Sequence, residues 1–485
     1  MLSAAGVGAG VLVAASLPPF GWWPLAMVGA AVLVGVLRER PWRRRVLIGL
    51  AAGLGMFGPG LWWILDFSGP GYVAATVVEA AIVALATVAV PPGRGRLLAF
   101  PGALVLAGAV AGHWPFGGVP LAGIPLGQAA GPLAPAARLG GHLLLTAMVG
   151  VAGASLAALA EWARDRRRRA RPETAVGALA ALAAVVGVAI VGAAAAIGTT
   201  RGALRVAAVQ GGGERGLRAI SVDSEIVLVA QMAATAGVHP PVDLVVWPED
   251  VVDVDGRLAG SDEERRVAEV ARATGAVLVA GIIEDVGTDR FRNAAVAWAP
   301  DGSQVARYDK VRRVPFGEYI PFRSLVDRVA DISAVPRDAL EGRGPGILRT
   351  PVGPLGVMIS YEVFFADRAR AAVRAGGQLL LVPTNASSFT TSQVPTQELA
   401  AARLRALETG RTVVQAAPTG FTAVVDPRGR VVARSDLGPP AVIEREVTRR
   451  GGQTLATRLG DGPATGAAAL ALVIGAARYL RSKET

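Results

Sequence analysis

Basic residues in this chain fall at every second break between long apolar runs, and that spacing constrains the fold more than any other feature. The apolar runs occupy residues 3–17, 22–37, 46–66, 71–90, 97–112, 140–162, 174–197 and 464–480. The breaks after the second, fourth and sixth read RERPWRRR (38–45), PPGRGR (91–96) and RDRRRRAR (164–171), and Arg478, Arg481 and Lys483 close the chain after the eighth. The intervening breaks, PPFGWWP, DFSGPG and HWPFGGVPLAG, carry almost no charge. Lysine and arginine mark the cytoplasmic side of a membrane protein, so the pattern predicts eight membrane helices with every basic loop on one side. A crossing helix needs about 20 residues, and the first two runs fall short of that. Trp22 and Trp23 between them suit an interfacial belt. The N-terminus lacks a basic region of the signal-peptide type, so the first run is read as the first membrane helix.

The same count places residues 201–463 outside the cytoplasm. It divides the chain into a seven-helix membrane domain (1–200), a water-exposed domain (201–463) and a last helix with a cytoplasmic tail (464–485). The chain is 52% hydrophobic, and the excess is concentrated in the first and last of these parts. The net charge of +11 sits largely at the ends of apolar runs, as in Arg43–Arg45 and Arg166–Arg169, where it meets anionic lipid. That placement argues against nucleic acid as a partner. There is no cysteine, which excludes disulfides and thiolate metal sites. The three histidines, His113, His142 and His239, do not pair at metal-ligand spacing.

From Ala203 onward short Val-, Ile- and Leu-rich runs alternate with helical stretches. Strands are expected at 203–209, 242–247, 277–283, 293–299, 355–360, 378–383, 412–417 and 421–426. Helices are expected at 219–236, 261–274, 365–375 and 395–410. Nearly continuous apolar strands such as VDLVVW and QLLLVP predict sheets covered on both faces, in an α/β layer architecture. Asp426-Pro427-Arg428-Gly429 reads as a hairpin turn. In such sheets chemistry gathers beyond the carboxyl ends of strands. Glu249, Ser360-Tyr361-Glu362 and Asn385 fall there, and Lys310 lies in a separate loop. Taken singly, each is more often a cap, turn or surface residue.

As an ordered set they say more. WPE (Trp247–Glu249), the Lys310-x7-Glu318 spacing within DKVRRVPFGEYIP, and ISYEV (Ile359–Val363) together resemble the nitrilase superfamily. The VPFGEYIP block, the run PTQELAAARLRALETGR (Pro395–Arg411) and the eight-segment frame resemble the apolipoprotein N-acyltransferase family within it. The resemblance implies a membrane α-helical bundle of about eight transmembrane helices plus a nitrilase-like αββα sandwich. It implies Glu249 as general base, Lys310 as stabiliser of the tetrahedral intermediate, Glu318 as a supporting acid, and Tyr361 and Glu362 as the pair after the nucleophile. Asn385 joins them as a supporting polar residue at a strand end. The implied reaction moves a fatty acyl chain from a phospholipid to the N-terminal amine of a diacylglyceryl-modified prolipoprotein. It implies no cofactor and no metal, and a bacterial inner-membrane location with the catalytic domain extracytoplasmic.

At the nucleophile position this chain departs from the family, which has cysteine there, and carries Ser360. A thiol with a pKa near 8.5 is within reach of a carboxylate base. A serine hydroxyl is far less acidic and needs a well-matched base. Its oxyester is also a poorer acyl donor to an amine. Ser360 is compatible with a natural variant that works slowly, a member that has lost catalysis and keeps a lipoprotein-binding or partner-anchoring role, and an engineered replacement. A membrane-bound amidase is a further alternative, against which the eight-segment frame argues.

Overall fold

The computed structural model describes residues 2–66, 68–93, 95–165, 172–213, 222–328, 331–333, 335–385 and 393–484. The chain divides into two compact units, Met1–Ala195 with Arg458–Thr485, and Ala196–Thr457.

The first unit is helical. Among the described residues, helices form at all eight apolar runs: Leu2–Ser16, Pro24–Val36, Trp42–Gly60, Gly69–Ala89, Arg96–Ala111, Ala137–Asp165, Pro172–Ala194 and Gly462–Glu484. Four apolar segments, Gly69–Ala89, Ala134–Arg164, Pro172–Ala194 and Gly462–Glu484, are long and apolar enough to cross a membrane. The first two helices have 15 and 13 residues, roughly 20 Å at 1.5 Å per residue, against a hydrocarbon core of about 30 Å. The run expected to be helical to 66 ends at Gly60, because Pro59 and Gly60 interrupt it and Trp62–Asp66 continues as a 3₁₀ turn. The run expected from 140 starts earlier, at Ala137, and is broken at Gly140 and Gly141, whose φ of −143° and +67° are not helical. Most of the basic run 164–171 lies outside the described residues. Apolar helices in lipid pack through small residues that let backbones approach. Gly10 illustrates this, since a Cβ there would meet the backbone of Ala52 and Gly55 on the third helix.

The second unit is a sandwich of two sheets. In the first the strand order is Ala441–Gly451, Thr199–Gln210, Leu244–Val246, Val277–Val286, Arg290–Trp298, Gln304–Asp309, with Val252–Val254 and Asp338–Ala339 paired alongside. In the second it is Val431–Arg434, Ala423–Val425, Val413–Ala416, Leu379–Pro383, Gly353–Val357, Ile347–Thr350. Each sheet has a parallel centre: Thr199–Gln210, Leu244–Val246 and Val277–Val286 in one, Gly353–Val357, Leu379–Pro383 and Val413–Ala416 in the other. One buried cluster joins Val206, Val246 and Val279 of the first sheet to Val357, Leu381 and Val414 of the second. A second cluster joins the outer face of the first sheet, through Trp247, Leu278 and Val296, to Leu228, Val267 and Ala271 of helices Ser224–Thr235 and Asp262–Thr274. Helices Ala366–Arg374 and Val394–Thr409 complete the α/β layering.

All eight expected strands form, and one strand end and one helix start differ from expectation. The strand expected to run to 360 ends at Val357, because Ser360 takes a left-handed φ of +46° that no strand accommodates. The helix expected from 219 starts at Ser224, where the Asp223 side chain accepts from the Glu225 amide as its N-cap; residues 214–221 are outside the described set. Asp426–Gly429 does turn the chain between two antiparallel strands, and the Asp426 carboxylate accepts from the Arg428 and Arg430 amides.

Candidate active site

The carboxyl end of Leu244–Val246 is held rigidly, and this fixes Glu249. The Trp247 amide donates to the Val279 carbonyl, and its indole donates to Thr235 Oγ1 at 2.9 Å. The Gly281 amide donates to the Pro248 carbonyl. A Cβ on Gly281 would run into that carbonyl oxygen and Glu249 Cα, so only glycine lets the neighbouring strand approach here. Glu249 follows, 3% exposed.

Lys310 leaves the strand Gln304–Asp309 with its amide bonded to the Asn293 carbonyl. Its Nζ lies 2.8 Å from Glu249 Oε1 and 2.7 Å from Glu318 Oε1. Asn293 Nδ2 donates to the same two oxygens, at 2.8 and 3.0 Å. The other oxygen of Glu318 accepts from the Val314 amide at 2.8 Å. Burial alone pulls the Lys310 ammonium toward neutrality, but the two carboxylates outweigh it and hold its pKa above the ordinary lysine value. The lysine is therefore a fixed buried cation, as stabilisation of an oxyanion requires.

Ser360 begins a 3₁₀ turn, Ser360–Phe364, just beyond the strand Gly353–Val357. Its positive φ costs on the order of 1–3 kcal/mol for a residue with a Cβ. Glu362 holds the turn. Wholly buried, its carboxylate accepts from the Ile359, Val311 and Arg312 amides and from the Tyr308 hydroxyl, between 2.7 and 3.0 Å. Burial, reinforced by the Glu362 charge, pushes the Tyr308 pKa up, so the phenol stays neutral and donates. Tyr361 is buried edge-on to Phe365, ring centroids 5.1 Å apart. Asn385 Nδ2 donates to Asp250 Oδ2 at 3.2 Å.

The geometry thus brings Glu249, Lys310 and Glu318 into direct contact and sets Glu362 beneath the Ser360 turn. Four residues of the site escaped sequence reading. Asn293 bridges the two carboxylates. Asp250, with φ of +58°, has its carboxyl pushed up to about 7 by burial and by the charge of Glu249. Thr384 and Glu398 meet the Ser360 hydroxyl, at 3.2 and 3.5 Å. Burial pushes Glu398 up to about 7, with Glu249 adding to the shift and Lys310 opposing it. The available signal was Gln397-Glu398 within a helix whose other positions are nearly all buried.

The carbon–nitrogen hydrolase family model matches residues 205–456, so the sandwich belongs to that class of enzyme. The model of the apolipoprotein N-acyltransferase N-terminal domain matches residues 9–155 of the helical unit. Two curated relatives, both named apolipoprotein N-acyltransferase, align over most of the chain. The Azotobacter vinelandii protein is 33% identical over 96% of this chain and 93% of its own length. The Mycolicibacterium smegmatis protein is 31% identical over 95% of this chain and 82% of its own. The chain belongs to the apolipoprotein N-acyltransferase family, within the nitrilase superfamily. A solved Saccharomyces cerevisiae member of that superfamily aligns with 52% of the chain at 23% identity and a TM-score of 0.41.

Proposed function

We propose that this protein transfers a fatty acyl chain from a membrane phospholipid to the free α-amine of a diacylglyceryl-cysteine at a lipoprotein N-terminus, with Ser360 as acyl carrier. The observation that supports this most is the buried Glu249–Lys310–Glu318 cluster in a chain whose curated acyltransferase relatives align over 95–96% of its length. Ser360 Oγ attacks the ester carbonyl of the phospholipid. The Lys310 ammonium stabilises the oxyanion of the tetrahedral intermediate. Glu249, at the position of the family's general base, holds the Lys310 ammonium in place together with Glu318 and Asn293. Glu362, with Tyr361 beside it, fixes the turn that presents Ser360, and Asn385 orients Asp250 by donating to its carboxylate. The amine of the second substrate then attacks the acyl-serine and releases the N-acylated lipoprotein.

Both substrates are lipid-anchored, so the site must work at a membrane surface. The alternation of basic loops supports residues 201–463 lying on the extracytoplasmic side of a multi-pass protein in the bacterial inner membrane, where lipoprotein maturation ends.

The test is N-acylation of a diacylglyceryl-cysteine peptide by the detergent-purified chain with phosphatidylethanolamine, followed by mass spectrometry. The parent should acylate slowly and Ser360→Ala not at all. Ser360→Cys should be faster than the parent by at least about tenfold, since a thiol ionises more readily. A silent parent beside an active Ser360→Cys variant would mean that the serine switches catalysis off and the protein binds lipoprotein without modifying it. Silence from both would reject the acyltransferase reading.

A further inference from the structure

Among the described residues, the side chains that meet the Ser360 hydroxyl are Thr384 and Glu398. Thr384 follows the strand Leu379–Pro383, its amide bonded to the Ala416 carbonyl. Glu398 lies near the start of the helix Val394–Thr409. Thr384 Oγ1 is 3.2 Å from Ser360 Oγ and 2.5 Å from Glu398 Oε1. Glu249 is differently engaged, its Oε1 taking donations from Lys310 and Asn293.

We infer that Glu398, reached directly and through Thr384, is the proton acceptor that activates the Ser360 hydroxyl; its substrate rests on the acyltransferase reading above. A threonine hydroxyl has one proton and two lone pairs. When that proton goes to Glu398, the short contact, Thr384 is left to accept from Ser360. Glu398 is 3% exposed, and among the described residues its buried Oε2 has no hydrogen-bond partner, which leaves it basic capacity. The charged groups that act on it are Glu249 and Lys310, and the hydroxyls are Thr384 and Ser360. Its burial sets it to about 7, where a general base serves best at neutral pH. This supplies a base matched to the hydroxyl of a serine, which is far less acidic than a thiol.

The proton balance closes. As the Ser360 Oγ–carbonyl bond forms, the hydroxyl proton passes to Glu398. The phospholipid C–O ester bond then breaks, and the departing lysophospholipid alkoxide takes that proton. In the second half the acceptor amine loses one proton as its C–N bond forms, and Ser360 Oγ regains one as the acyl–oxygen bond breaks. Glu398 carries it between them.

The experiment labels the full chain in detergent with an alkyl fluorophosphonate and follows Ser360 modification by peptide mass spectrometry, from about pH 5 to about pH 9. The parent rate should rise through about 7, as Glu398 ionises. Glu398→Gln should lower it at least about 100-fold and remove that rise, while Glu398→Asp restores part of both. Thr384→Val should slow labelling and Thr384→Ser preserve it. In a Ser360→Cys background, probed with iodoacetamide, Glu398→Gln should change the rate by no more than about threefold, because the thiol ionises unaided. The inference fails if the parent is not labelled, if Glu398→Gln labels like the parent, or if Glu398→Gln costs as much with the thiol as with the hydroxyl. Labelling that depends on Glu398 in a protein that acylates no lipopeptide would reject the acyltransferase reading and leave the proton acceptor standing.

Discussion

Lys310→Met is expected to abolish acyl transfer and to destabilise the chain by about 3–5 kcal/mol, the cost of stripping one partner from a buried ion cluster. Lys310 is 2% exposed and supplies the ammonium that Glu249 and Glu318 share, at 2.8 and 2.7 Å. Without it two carboxylates bonded to the same Asn293 amide face each other in a dry site. Their repulsion has no counter-charge to offset it. Adding Glu318→Gln should recover much of the stability without recovering activity. Denaturant unfolding of the single and double variants in a double-mutant cycle measures the coupling. A double variant no more stable than Lys310→Met would show that the lysine contributes by packing alone.

Glu362→Leu should cost a similar amount, about 3–5 kcal/mol, for a different reason. The leucine fills the space but leaves the buried amide of Ile359 and the part-buried amides of Val311 and Arg312 without their acceptor. Arg368, whose Nη2 donates to the Tyr308 hydroxyl at 2.7 Å and whose Nε lies 3.5 Å from Glu362, loses its counter-charge. With the turn released, Ser360 has no reason to keep its left-handed φ, so activity should vanish even in the fraction that folds. Glu362→Gln retains one acceptor oxygen and should cost about 1–3 kcal/mol. Comparing unfolding midpoints with rates per folded molecule separates the two consequences. If Glu362→Leu unfolds like the parent, the carboxylate does not hold the turn.

The sheets were legible where they are buried on both faces and illegible where they end. Leu244–Val246, Leu379–Pro383 and Val413–Ala416 lie inside their sheets and read as unbroken apolar runs. The longer strands that escaped sequence reading, Ala441–Gly451, Gln304–Asp309, Val431–Arg434 and Ile347–Thr350, are the four ends of the two sheets. There, charges along the strand suit an exposed edge and erase the apolar signal, as in AVIEREVTRRG. The site divides in the same way. Glu249, Lys310, Glu318 and Glu362 were visible through motif order. Asn293 was hidden inside an apolar strand, and Thr384 and Glu398 act only through contacts across 24 and 38 residues from Ser360. Spacing along a chain carries no trace of such contacts.

The most direct measurement is a search for the acyl-enzyme itself. The purified chain is incubated with phosphatidylethanolamine and no acceptor, then digested, and the peptide containing Ser360 is weighed. An oxyester is a sluggish donor to amines, so a fatty acyl ester should accumulate on Ser360 and disappear on addition of a diacylglyceryl-cysteine peptide. N-acylated peptide formed with Ser360 replaced by alanine, or an acyl group found on any other residue, would contradict it.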